Sequence, residues 1–223
     1  ELSEDAVQLC CQVWGGGAEE ELFTHGEHPL TRKDLISLCN LNYINDEIIN
    51  AYLNMIVERS VKEQGLPKAY TFNTFFYANI STKGFTSVKR WTRKVDIFSY
   101  DILLIPVHLK LHWTMAIVEV KEKTILYYDS LGVSDHNVLP CIMNYLMEES
   151  LDKKKVSLVS SEWKLMAPSD IPHQQNGSDC GVFSCKFADF GSRRCSHVFT
   201  QYHMPYYRKR MVFQLCKNDL SAY

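Results

Sequence analysis

Between residues 101 and 130 three β-branched and aromatic runs, 101–107, 112–120 and 124–130, follow one another with short polar stretches between them. Their length and make-up read as strands of one sheet. The middle run sets the constraint. Its two alternating sets, His112, Thr114, Ala116 and Val118 on one side and Trp113, Met115 and Ile117 on the other, are both largely apolar. Alternate strand residues point to opposite faces, so neither face of this sheet can be left to water and helices must cover both. The expected fold class is α+β (mixed α/β).

The rest of the chain supplies those helices. Thr31 is placed to cap a helix running to Leu38, and Asn45 to cap a longer one with Ile48, Ile49, Tyr52, Leu53, Ile56 and Val57 on one stripe, stopped by Gly65 and Pro67. Shorter helical pieces are expected at 73–80 and 85–91, divided by Gly84, followed by a helix at 137–150 and a strand near 162–165. A helix opening at Cys180 and another starting at Pro205 complete the domain. Residues 1–14 can form an amphipathic helix before the break at Gly15-Gly16-Gly17 and the acidic run from Glu19 to Glu21, so 1–29 reads as a lead-in and 30–223 as the domain. The 223 residues, 46% of them hydrophobic, suffice for a sizeable core. A net charge of −2 argues against a general nucleic-acid binder. The basic clusters at Lys89-Arg90, Arg93-Lys94, 153–155 and 208–210 read mostly as solvated helix faces. Eight cysteines without a Cys-x-x-Cys pair fit neither a disulfide scaffold nor a zinc site and point to a reducing compartment. The sequence shows no signal peptide and no 18-residue apolar span, so a soluble protein without a membrane span is expected. A chain opening on Glu1 without a methionine reads as a domain excised from something longer.

Chemistry is expected where a polar, glycine-bearing loop runs into an apolar helix, at Gln174-Gln175-Asn176-Gly177-Ser178-Asp179-Cys180-Gly181-Val182-Phe183. Ser178 or Asp179 can cap that helix by accepting a backbone N–H of its first turn, which puts Cys180 at about the first helical position. There the helix's positive end favours the thiolate, the nucleophilic form of a cysteine. A cysteine can equally be a small buried apolar group, as Cys185 is expected to be further along, so its neighbours decide. A nucleophilic cysteine needs a base, and the base an orienting group. His112 opens the second strand and Asp129 ends the third. If a two-residue loop pairs Val120 with Lys123, His112 lies opposite Leu131 and Asp129 is its diagonal neighbour on the same face, about 7–8 Å away between backbones. A loop of odd length would put Asp129 on the other face. The oxyanion formed by thiolate attack on a carbonyl needs fixed donors, for which the Cys180 N–H and the side-chain amide of Gln174 or Gln175 are placed.

His112-Trp113, 127–130 and 174–181, together with 41–50, 88–92 and Met204-Pro205, closely resemble the catalytic domain of the sentrin/SUMO-specific proteases, the Ulp family. The likeness runs from about Leu30 to the C-terminus, with several separated motifs in the family's order. It implies a papain-like cysteine protease fold, with a central mixed sheet flanked by helices, that needs no metal or cofactor. His112 is then the general base, Asp129 its orienter, Cys180 the nucleophile and Gln174 the oxyanion donor. Asp46, Phe75, Arg90, Trp91 and His108 correspond to positions that contact the SUMO body or its C-terminal tail. Trp113 and Tyr43 correspond to walls of a channel for the terminal glycines. Two positions depart from the family pattern: Tyr43 replaces an expected tryptophan, and His173 stands where glutamine is common. The resemblance implies a SUMO-specific endopeptidase and isopeptidase, monomeric, acting on SUMO precursors and SUMO-conjugated proteins in the nucleus with cytoplasmic pools. A NEDD8-specific protease of the same family and a catalytically idle SUMO-binding module are the competing readings.

Overall fold

In the computed structural model, which describes residues 2–16, 21–25, 28–133 and 135–221, the three runs form the middle of a five-stranded mixed sheet. In chain order the elements begin with α1 (Glu4–Trp14), β1 (Glu21–His25), β2 (His28–Thr31), α2 (Arg32–Ile36), α3 (Asp46–Lys62), β3 (Ala69–Thr71) and α4 (Phe76–Lys83). They continue with β4 (Ile102–Leu109), β5 (His112–Glu119), β6 (Thr124–Tyr128), α5 (Val138–Lys154), β7 (Lys164–Met166), α6 (Cys180–Ser192) and α7 (Met204–Lys217). The sheet runs β3-β4-β5-β6-β7, antiparallel through its centre and parallel at both edges.

The alternation read in β5 sorts the core into two halves. Trp113, Met115 and Ile117 pack with α3 and α6, while Ala116 and Val118 pack with α4 and α5. Glu119 pairs with Thr124, so the β5–β6 turn carries the even register expected; it closes through Lys123 N–H to Val120 C=O at 3.3 Å, with Lys123 itself in the left-handed conformation (φ 49°). Thr31 caps α2 in a reciprocal box with Asp34, and Asn45 Oδ1 accepts the Ile48 N–H at 3.1 Å to start α3. Asn45 Nδ2 also donates to Asp34 Oδ1 at 2.8 Å, which ties the two helix starts together.

Several expectations need correction. The stretch 85–91 is a single 3₁₀ turn, Phe85–Ser87, followed by turns whose bonds close over three residues, as in Trp91 N–H to Val88 C=O at 2.8 Å. It is pinned at buried Val88 and Thr92, the latter donating to Glu149 at 2.5 Å, instead of lying along a helical face. α4 starts at Phe76 and not at Asn73, because the Asn73 side chain accepts the Phe75 N–H at 3.0 Å and holds the chain in a turn. The strand expected near 162–165 is displaced to Lys164–Met166 by a 3₁₀ turn at Ser160–Glu162. β3 and the β1–β2 hairpin were not expected; β3 is three residues long, and a run that short carries no period to read. The basic cluster 208–210 is not wholly a solvated face, since Arg208 is only 3% exposed.

The N-terminal helix starts after Ser3, whose hydroxyl accepts the Ala6 N–H, and it packs against α7 through Ala6, Cys10 and Val13. Arg32 Nη1 donates to the carbonyls of Gln12 and Val13 at 2.6 and 2.7 Å, closing its C-terminal end. Gly17 and most of the acidic run, Glu19 and Glu20, lie outside the described residues. All eight cysteines are free thiols.

Candidate active site

The loop before α6 is folded on itself before the helix begins. Asn176 Oδ1 accepts the N–H groups of Ser178 and Asp179, both at 3.0 Å, a side-chain turn that aims the chain into α6. Cys180 is then the first helical residue, as the sequence implies. The cap is not. Neither Ser178 nor Asp179 caps α6 with its side chain. The Asp179 carboxylate is drawn the other way, into an ion pair with Arg208 at 2.6 Å and into bonds from Asn176 Nδ2 and Gln201 Nε2, both at 2.7 Å. The first backbone bond is Phe183 N–H to Asp179 C=O at 2.9 Å. The preceding N–H groups, that of Cys180 among them, are left for whatever occupies the space before the helix.

His112 stands at the start of β5, and its Nε2–H donates to Asp129 Oδ1 at 2.6 Å. The Cys180 side chain lies close enough to the same ring to raise its pKa. With Nε2 committed to Asp129, Nδ1 is the nitrogen available to the thiol. Asp129 Oδ1 also accepts the Leu131 N–H at 2.9 Å, which fixes the carboxylate beneath the ring. Burial works to lower the His112 pKa, but the hydrogen bond with Asp129 and the neighbouring Cys180 outweigh it and push it up to about 9. An imidazolium that persists to that pH is the cation a neighbouring thiolate needs.

Gln174 and Gln175 are separated by their surroundings. Gln174 is buried, its Oε1 accepting from Ser130 Oγ and its Nε2 donating to the Asn176 carbonyl, both at 2.6 Å, and its backbone N–H bonds to the Ser130 carbonyl at 2.9 Å. The amide is thereby locked with its second N–H unspent. Gln175 is exposed and fixed only through its backbone N–H, bonded to Gln201 Oε1 at 2.8 Å. His173, the other histidine near this loop, is exposed and packs on Gly132, where an added Cβ would stand 3.0 Å from its Cε1.

Strict pleating puts Trp113 on the opposite strand face from His112, and it packs on the α6 side, stacked on its cross-strand partner His108 at 4.1 Å between ring centroids. Its Cδ1 would lie 3.3 Å from a Cβ at Gly181, and the Tyr43 hydroxyl 3.6 Å from a Cβ at Gly177. Trp113 and Tyr43 therefore flank the junction that carries Cys180, with Tyr43 60% exposed. Burial lowers the His108 pKa, opposed by Asp46 and reinforced by His112. Asp46 is the first residue of α3, and its neighbour Glu47 lines a cavity of about 490 Å³ together with Phe75 and Trp91, both exposed aromatics. Arg90 is exposed next to Trp91 and does not line that cavity. Asp46 thus acts on His108, and His108 stacks on Trp113, which lies beside the residue after Cys180.

Sequence reading missed Arg208, Gln201 and Ser130 around this loop, and Ile44 beneath it. Arg208 was hidden in a basic run, and only its burial distinguishes it from its neighbours.

A thiol at a helix start, paired with an imidazole that a carboxylate holds from behind, is the arrangement of a thiol protease. The chain belongs to the Ulp1 protease family: residues 42–220 match that family's C-terminal catalytic domain. It is 51% identical over 222 residues to a sentrin-specific protease of Caenorhabditis elegans and 40% identical over 223 residues to human sentrin-specific protease 2. These alignments take in 99% of this chain but 32% and 38% of the two relatives, so the chain spans about a third of the length of the curated proteins it matches. Its fold superposes on the C-terminal Ulp1 protease domain solved in complex with Smt3, the yeast ortholog of SUMO, with a TM-score of 0.86 at 27% identity, covering 99% of this chain and 98% of that one. Among the described residues, no helix is long and apolar enough to cross a membrane.

Proposed function

We propose that this chain is a SUMO-specific cysteine protease that matures SUMO precursors after their C-terminal Gly-Gly and cleaves the isopeptide bond of SUMO-conjugated proteins. The observation that carries the reading is His112 held by Asp129 at 2.6 Å and influenced by Cys180 at the start of α6, beside Trp113 and Tyr43. Family membership and the likeness to a SUMO-bound protease domain support the choice of modifier.

In this reading the substrate body rests on Asp46, Phe75, Arg90, Trp91 and His108, and its tail runs extended past Trp113 and Tyr43. His112 Nδ1 takes the Cys180 proton, the sulfur attacks the terminal glycine carbonyl, and the oxyanion accepts from the Cys180 N–H and the spare N–H of Gln174. The imidazolium then protonates the departing amine, and water releases the SUMO carboxylate by the same route in reverse. Asp129 keeps the ring in the tautomer that this sequence of transfers needs. Residues 30–223 form the catalytic unit, with the 1–29 lead-in docked on it through α1. The active species is a monomer, and nuclear residence with cytoplasmic pools belongs to the same reading.

Labelling by a SUMO probe with a thiol-reactive C-terminus tests it. The wild type should be labelled at Cys180, and Cys180→Ala should not be labelled while still binding SUMO. Preference for a NEDD8 probe would change the modifier, and absence of labelling by either would leave a binding module.

A further inference from the structure

The Asp179 side chain sits one residue before the nucleophile, at the position where an aspartate ordinarily accepts hydrogen bonds from the first turn of its helix. Here it does not. Arg208, 3% exposed on α7, takes Asp179 Oδ1 through Nε at 2.7 Å and Nη2 at 2.6 Å, and reaches the carbonyls of Ser178 at 3.2 Å and Ser37 at 3.4 Å. Asp179 Oδ2 is held by Asn176 and Gln201. Those two residues bond in turn to the Gln174 amide and the Gln175 N–H. A chain of bonds therefore runs from the last helix to the candidate oxyanion donor.

We propose that Arg208 is a positioning residue for oxyanion stabilisation, acting through Asp179. It draws that carboxylate off the start of α6, so that the Cys180 N–H stays free for the substrate oxygen, and through Asn176 it fixes the direction of the Gln174 amide. Without the guanidinium, Asp179 is free to turn back and cap α6. That would place a full negative charge where the thiolate and the oxyanion both form, which opposes each of them. The inference rests on Cys180 and Gln174 having the roles given above.

The test is a double-substitution cycle on kcat and KM with a SUMO precursor, using Arg208→Met with and without Gln174→Ala. A displacement of about 1 Å at a reacting centre costs about 100-fold, so Arg208→Met is expected to lower kcat by about that factor with KM changed less than about threefold. In the Gln174→Ala background the same substitution should lower kcat by no more than about tenfold, because one of the groups it positions has gone. Alkylation of Cys180 by iodoacetamide, followed on its own peptide, should also slow in Arg208→Met, a readout that needs no substrate. Adding Asp179→Asn should restore part of that rate by removing the charge. Where Arg208→Met does not fold, Arg208→Lys and Gln201→Ala carry the same cycle with smaller losses. Equal losses in both Gln174 backgrounds, a rise in KM at constant kcat, or an unchanged alkylation rate would each overturn the proposal. A wild type that leaves the precursor uncleaved would instead overturn the functional reading on which it stands.

Discussion

Gly181→Ala is a one-carbon change whose consequence can be worked from the contacts around it. A Cβ at Gly181 would lie 2.3 Å from Ile44 Cγ1 and 2.7 Å from Ile44 Cδ1, with Trp113 Cδ1 at 3.3 Å. Ordinary contact begins at 3.4 Å, so Ile44 must recede by at least 3.4 − 2.3 = 1.1 Å. Ile44 is 3% exposed and embedded in the core half shared by α3 and α6, which leaves it little room. Overpacking of this kind costs about 1–3 kcal/mol, or a fall in Tm of about 2–12 °C for a domain of this size. The strain does not stay in the core: Ile44 follows Tyr43, and Gly181 follows Cys180, so the proposed channel wall and nucleophile move with it. A shift of about 1 Å at a reacting centre costs about 100-fold in rate. Thermal melts and SUMO-precursor cleavage should therefore report both losses in Gly181→Ala. In an Ile44→Ala background, where the two clashing atoms are gone, adding Gly181→Ala should cost little further stability. An equal cost in the two backgrounds, or a wild-type Tm in the single variant, would refute the steric argument.

Three further outcomes follow from the site. Gln174→Ala should lower kcat about 100- to 1,000-fold with little change in KM, as removal of one oxyanion donor does; full activity would move the role to another group. The His112 pKa is raised in the folded state from 6.5 to about 9, so its contribution to stability is fully present below pH 6.5 and is lost as pH rises through 9. Asp129→Asn should flatten urea-unfolding stability across that window, and an unchanged pH dependence would count against the Asp129 bond as a cause of the shift. Trp113→Ala should lower kcat and narrow the kcat/KM preference for Gly-Gly over Gly-Ala tails, and an unchanged ratio would remove Trp113 from the exclusion of side chains.

The central sheet was legible because β5 announces both its faces, and the β5–β6 register was legible because it follows from loop parity alone. The same parity brought His112 and Asp129 to one face. Cys180 could be placed at a helix start from local signals, but its cap could not. The destination of the Asp179 carboxylate is set by Arg208, 29 residues further on, and no local pattern reports that pairing. The stretch 85–91 failed for a related reason: Val88 and Thr92 have helical spacing, yet tertiary anchors hold the segment in tighter turns. The choice between Gln174 and Gln175 needed the Ser130 hydroxyl, which is nearby only after β6 and the loop before α6 meet.

The two halves of the site also differ in how far apart their parts lie along the chain. His112 and Asp129 are 17 residues apart, at the open end of one tight hairpin, whereas α6 packs against α3, more than a hundred residues earlier. Closing the short loop costs little chain entropy and forms fast; joining α3 to α6 closes a long one and comes later. His112 and Asp129 are thus expected to assemble before Cys180 reaches them, and on transient opening to part from each other last. Native-state hydrogen exchange would register this as slower exchange at Ala116 to Val118 and Ile125 to Tyr127 than at Phe183 to Phe187, and the reverse order would contradict it. A nascent or partly opened chain would then hold an ordered imidazole without a nucleophile, so thiol reactivity would serve as a late marker of the finished fold.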